Sequence, residues 1–287
     1  MKKIKLKNHK EVLPLLSDAV FKAVFNEEGK DLLRCMLNDL FQLNIVKDED
    51  IQLLDRELSP NEVNRKTLRL DLLVKTLTEI ISIEVQFQND KDIRDRMAVY
   101  GGKLLGSSMS KGEHYDEANR VLMVLITNTN VNDAEDWLQF SDIRGRKYHD
   151  IRFTKLIDFC TIELGKLKQK NVELDCQNKW AYLFKVNNEE ELNRIRKVDD
   201  VMEKAVDKLC YVSEEERVIR AYELAEKDEW IKRNQLKNAK SEGREEGRKE
   251  EQISIARELL YRNLTVKEVA EITKLSLDEI DDLMIHQ

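Results

Sequence analysis

Residues 70–88 read LDLLVKTLTEIISIEVQFQ. Apolar residues alternate with polar ones on both sides of a short polar break, the pattern of two antiparallel strands joined by a turn. A turn centred between Leu77 and Thr78 sets Asp71 opposite Glu84 and Arg69 opposite Gln86. The same register sends Leu70, Leu72, Val74, Ile81, Ile83, Val85 and Phe87 to the other face, where they build a core. Two carboxylates directly opposed on a sheet repel each other, so this pair needs compensation. One reading is a solvated polar face, screened by Arg69, Lys75 and water. The other is a hard divalent cation: Mg²⁺ takes oxygens from one or two carboxylates, keeps several waters and leaves positions for phosphate oxygens.

Outward from this hairpin, the chain is long enough for a substantial core, and 41% of its 287 residues are hydrophobic. Charged residues make up 37% and prolines number two, which predicts that helix dominates. No run approaches the roughly 18 to 20 apolar residues of a membrane span, and MKKIKLKNHKEVL lacks an apolar segment after its lysines, so a cytoplasmic location without membrane contact is expected. Cys35, Cys160, Cys176 and Cys210 are too widely spaced for a zinc or disulfide framework and suit reduced thiols. His9, His114, His149 and His286 show no ligand spacing. A net charge of −7 argues against coating nucleic acid through bulk charge but leaves room for a local basic groove.

Before the hairpin, Val20, Phe21, Val24, Phe25, Leu32, Leu33, Met36, Leu37, Leu40 and Phe41 recur at helical spacing, with Gly29 as a break. Alternation begins near Ile51 to Leu58. After the hairpin, a helix from about Asp92 to Ser110 precedes RVLMVLIT at 120–127, a buried strand. This order predicts an α/β fold, a mixed sheet with helices packed on it. Beyond Phe159 the periodicity is mostly helical. Ser213 to Glu216, Thr265 to Glu268 and Ser276 to Glu279 have the form of capping boxes. The expected organisation is a domain built on the mixed sheet with a helical extension over 10–212, a charged helical connector over 213–252 and a helical hairpin over 253–287. Asp278, Glu279, Asp281 and Asp282 on the second helix of that hairpin would repel DNA phosphates, so the hairpin suits contacts with protein, such as a second copy, better than a helix-turn-helix role.

Asp71, followed on the next strand by Glu84-Val85-Gln86, resembles the site of the PD-(D/E)XK nucleases, in particular the recombination-promoting nuclease and transposase family. SDAVFKAVF at 17–25, LRLDLLV at 68–74, ISIEVQ at 81–86, RMAVYGGKLL at 96–105 and KGEHYDEANRVLMVLI at 111–126 agree in order, and the tail from EGREEGRKEEQ looks like the ends of family members. The resemblance implies a restriction-endonuclease-like sheet, DNA as substrate, phosphodiester hydrolysis with Mg²⁺ or Mn²⁺, and Asp71 and Glu84 as metal ligands.

Gln86 stands where the wider superfamily usually has lysine, and Leu70 where it often has proline. A glutamine can orient the attacking water but brings no charge to the phosphorane. Basic residues such as Arg69, Lys75 and Arg96 are candidates to approach phosphates. Arg96 and Tyr100, an i, i+4 pair on one helix face, suit phosphate contact or support of the site as well as ordinary surface packing. Asp18 stands where the family also has aspartate and suits either a supporting carboxylate or an N-cap beside Ser17. Three function classes follow: a metal-dependent endonuclease linked to recombination or transposition, a catalytically weak nuclease fold kept as a DNA- or protein-binding scaffold, and a strand-joining factor in a larger complex.

Overall fold

A computed structural model describes residues 3–7, 10–54, 57–58, 68–87, 92–109, 112, 114–115, 118–168 and 172–285. The chain divides into two units, Met1–Glu223 and Leu224–Gln287.

In the first unit, a small ribbon of β1 (Ile4–Lys5) and β2 (Glu11–Val12) precedes helices α1 (Asp18–Val24) and α2 (Lys30–Phe41). The strands β3 (Gln52–Leu53), β4 (Glu57–Leu58), β5 (Leu68–Arg69), β6 (Leu72–Lys75) and β7 (Glu79–Gln86) come next. Helix α3 (Ile93–Ser107) leads to β8 (Arg120–Thr127), β9 (Leu138–Asp142) and β10 (Ile157–Glu163), followed by α4 (Asn178–Lys185), α5 (Glu189–Arg196) and α6 (Asp200–Glu214). Six strands form one mixed sheet in the order β3-β6-β7-β8-β10-β9; β7, β8 and β10 run parallel and the outer pairings are antiparallel.

The β6–β7 register matches the sequence reading: Leu72 pairs with Ile83, Leu73 with Ser82, Val74 with Ile81 and Lys75 with Ile80. Thr76 closes the turn, its N–H donating to the Glu79 carbonyl at 2.8 Å while its hydroxyl accepts from the Glu79 N–H at 3.1 Å. The pairing stops at Leu72, however. Arg69 does not face Gln86; it pairs with Glu57 in the separate β4–β5 ribbon, and its side chain lies outside the described residues.

The polar face of the hairpin is not solvated. Leu72, Val74, Ile81, Ile83 and Val85 join the larger core with α1, α2, α4, α5 and α6. Leu70, Leu73 and Ile80 join a second core with Ile93, Met97 and Leu104 of α3. Leu70 therefore sits on the side opposite to the one its alternation predicts, because the chain bends away from the ladder at Asp71. Gly101 lets α3 lie close to the sheet: a Cβ there would fall 2.7 Å from Ile157 Cδ1. Strands β9 and β10 are the elements the periodicity misses. In β10, Asp158 and Glu163 are buried acids held by Arg120, Arg152 and Lys166, and their charge disguises a strand as a helix-like segment.

Gly29 does break the opening helices. A Cβ there would lie 2.0 Å from the Val24 carbonyl oxygen, so the constraint is a close backbone approach. Gly29→Ala should destabilise the first unit by about 1 to 3 kcal/mol, the range for forced overpacking, measurable as a lower denaturant midpoint at unchanged slope.

Helix α7 (Glu216–Tyr261) begins in the first unit, with Val218 and Tyr222 buried in its core. Ser213 does not open it. Its hydroxyl lies inside α6, donating to the Leu209 carbonyl and accepting from the Leu13 N–H, so the predicted capping box there is not formed. In the second unit, Ala256 of α7 packs with Val269 of α8 (Val266–Thr273) and Ile280 of α9 (Leu277–Ile285). Both remaining capping boxes form, Thr265 with Glu268 and Ser276 with Glu279. No described helix is long and apolar enough to cross a membrane.

Candidate active site

The bend at residue 71 builds the site. Where β6 would have continued its ladder with a backbone carbonyl, the Asp71 carboxylate takes over, its Oδ2 accepting from the Val85 N–H at 2.9 Å. The Asp71 N–H in turn donates to Glu84 Oε1 at 3.4 Å. Each acid is thus fixed by the other strand's backbone. The two meet beside β7, just past the end of the β6–β7 ladder.

Both acids are withdrawn from water: Glu84 is 6% exposed and the Asp71 side chain 21%. Burial pushes the Glu84 carboxyl up to about 8, Asp71 repelling it further, while Arg96 and Lys22 act against the rise. Burial likewise pushes Asp71 up to about 6, with repulsion from Asp18 next, opposed by the Val85 N–H and by Lys22. The water-screened surface pair that sequence alone left open does not describe this pair, since Glu84 is buried and Asp71 mostly so.

Lys22 is the residue that sequence reasoning missed. On α1 it makes an i, i+4 ion pair with Asp18, and its Nζ also lies 3.6 Å from Asp71 Oδ1. The N-cap of α1 is Ser17, and Asp18 occupies the first turn, so the N-cap reading of Asp18 is corrected: it lies beside Asp71, which it repels, and is paired with Lys22. Arg96, half-buried on α3, lies near enough to Glu84 to favour its charged form. Tyr100, one turn on, packs against the second core. Gln86 ends β7, half-buried, two residues beyond Glu84 and on the same side of the strand. Lys75 is not part of the site: it is exposed at the other end of β6, four residues and roughly 13 Å from Asp71. His114 and His149 are exposed, and His9 and His286 lie outside the described residues.

Among the described residues, no group of three His, Cys, Asp or Glu side chains is set to hold a metal ion. The donor set is two carboxylates, with Asp18 already engaged by Lys22. Two oxygen donors and open positions fit a hard divalent ion that keeps water and accepts phosphate oxygens, and do not fit a closed zinc or calcium cage. Lys22 and Arg96 offset only part of the cost of the two buried acids, whose carboxyls both stay raised, so a bound cation would stabilise the pair further.

A mixed six-stranded sheet covered by helices on both sides is the architecture of the restriction-endonuclease-like class. The family model described as PD-(D/E)XK nuclease family transposase matches residues 15–239, and the chain belongs to that family. No curated protein and no solved structure matches it. Membership gives the general activity, a nuclease with transposase-like relatives, and DNA as the class of substrate; such nucleases generally use divalent metals.

Proposed function

We propose that the chain is a Mg²⁺-dependent DNA endonuclease, with Mn²⁺ as a substitute, acting in recombination or transposition. The observation that carries this reading is the buried Asp71–Glu84 pair held by reciprocal backbone contacts. Asp71 and Glu84 would hold the ion, which when bound supplies Lewis-acid stabilisation of the phosphoryl oxygens and a water of lowered pKa. Gln86 orients the attacking water through its amide. Lys22, anchored by Asp18, supplies the fixed positive charge that Gln86 lacks, and Arg96 adds a second cation from the opposite side. Gln86 favours a second reading, a nuclease fold retained for binding. Supercoiled plasmid incubated with purified protein in Mg²⁺, Mn²⁺, Ca²⁺ or EDTA separates the two: nicking or linearisation that needs Mg²⁺ or Mn²⁺ supports the endonuclease, and no cutting in any metal leaves the scaffold.

Lys22→Ala should slow cutting by about a hundredfold, the lower range for losing one preorganised charge at a reacting phosphate. It should bind Mg²⁺ at least as tightly as wild type, because a competing cation has gone. Gln86→Lys in that background should recover part of the rate. Unchanged cutting by the Lys22→Ala protein would remove the lysine from the reaction.

A further inference from the structure

Away from the acid pair, residues 143–155 (IRGRKYHDIRFTK) carry five lysines and arginines against one acid in a chain of net charge −7. The segment is built, not loose. Gly145 N–H donates to the Ile151 carbonyl at 3.2 Å and Phe153 N–H to the Ile143 carbonyl at 2.9 Å. Arg144 and Arg152 face each other across an antiparallel bridge. Their repulsion is relieved at the base of the hairpin, where Asp142 receives Arg144 Nε at 2.6 Å and Asp158 is paired with Arg152. Arg146, Lys147 and Lys155 form no ion pair among the described residues. Beside these cations stand two aromatic rings in water, Tyr148 at 60% and Phe153 at 82% exposure, and Lys147 Nζ lies 5.3 Å from the Tyr148 ring centre.

We propose that this hairpin holds single-stranded DNA next to the cleavage site. The proposal rests on DNA being the substrate and goes beyond it by naming an unpaired strand and a place for it. Phosphates along a strand match unpaired cations, and exposed rings can stack on bases only where bases are unpaired; a duplex offers ring faces only at its ends. The sheet sets the distance. Glu84 lies in one row with Leu125, Thr161 and Gln139, so three strand spacings and three residues along β9 separate it from Asp142 at the hairpin's base, roughly 17 Å. Phe153, paired with Ile143, stands near that base and Tyr148 farther out at the tip, so a run of several unpaired nucleotides would reach from the acids to both rings.

The test is equilibrium binding of full-length protein in EDTA to a labelled single strand a few tens of nucleotides long and to a duplex of the same sequence, across salt concentrations. Tyr148→Ala/Phe153→Ala should weaken the single strand at least about tenfold and the duplex less than about twofold. Tyr148→Trp/Phe153→Trp, which keeps both stacking faces, should bind the strand at least as well as wild type. Arg146→Ala/Lys147→Ala/Lys155→Ala should reduce the slope of log affinity against log salt by about two on the single strand. Wild-type affinity in the aromatic double variant, an equal loss on duplex and single strand, or a loss accompanied by a change of oligomeric state would each overturn the proposal. Plasmid cutting by wild type with no dependence of binding on the two rings sinks this inference alone, whereas ring-dependent binding without cutting sinks only the nuclease reading.

Discussion

Glu84→Gln should leave a folded protein that cuts supercoiled plasmid about 10²- to 10³-fold more slowly than wild type, and Asp71→Asn should do the same. The amides are nearly the size of the acids they replace and keep an oxygen for the contacts that matter to folding: Val85 N–H to residue 71 and Asp71 N–H to residue 84. What is lost is a full negative charge aimed at the same point from two strands. Calorimetric titration should show Mg²⁺ binding much weakened in each single variant and absent in the pair. Metal-dependent cutting that survives in the highly purified double variant would refute the assignment of these two acids.

That pair was legible in the sequence, and for a physical reason. Alternation of side chains across a strand fixes the β6–β7 register as far as Leu72 and Ile83, which brings Asp71 beside Glu84; the last step is not ladder pairing, because the chain bends at Asp71 and the acids meet through side-chain contacts to backbone N–H groups. Their burial was not legible. It depends on distant elements: Ile93, Met97 and Leu104 of α3 pack beside Leu70, Leu73 and Ile80 of the hairpin, with a close approach that depends on Gly101, and Lys22 of α1 lies against Asp71. Nothing local to residues 71 or 84 announces that contact.

Lys22 escaped for a related reason. Four residues after Asp18 it reads as one half of a surface ion pair, and only the fold carries Asp71 to it. Strands β9 and β10 escaped because their polar residues are paired across the structure: Asp158 with Arg120 and Arg152, and Glu163 with Lys166 and the Val131 N–H. Hydropathy periodicity assumes that charge faces water, and β10 buries its charge by neutralising it. Asp142 on β9 and Asp158 on β10 anchor the two arginines of the basic hairpin, so the same network that hid the strands holds that surface in place.

The second large effect is on stability, and its sign follows from the acids. Asp71 and Glu84 hold protons more tightly in the folded chain than in the unfolded one, up to about 6 and about 8. Their contribution to stability is therefore complete below about pH 4, near the unfolded carboxylate values, and is lost as pH rises through 6 to 8. Each tenfold change in proton affinity is worth about 1.4 kcal/mol, so the metal-free protein should lose on the order of a few kcal/mol across that window. Asp142, Asp199, Glu268 and Glu279 are shifted the other way, so the stability they lend is lost only under acid conditions. Denaturant unfolding of wild type and Glu84→Gln in EDTA isolates the effect: the variant should gain on wild type steadily from pH 5 to pH 8. Mg²⁺ at about a hundred times its dissociation constant should return about 2.7 kcal/mol to wild type at pH 8, less at pH 5 where protons compete, and nearly nothing to the variant. A difference between the two proteins that stays flat across this range would show that Glu84 is charged without strain in the folded chain, and would remove the reason for a cation between the strands.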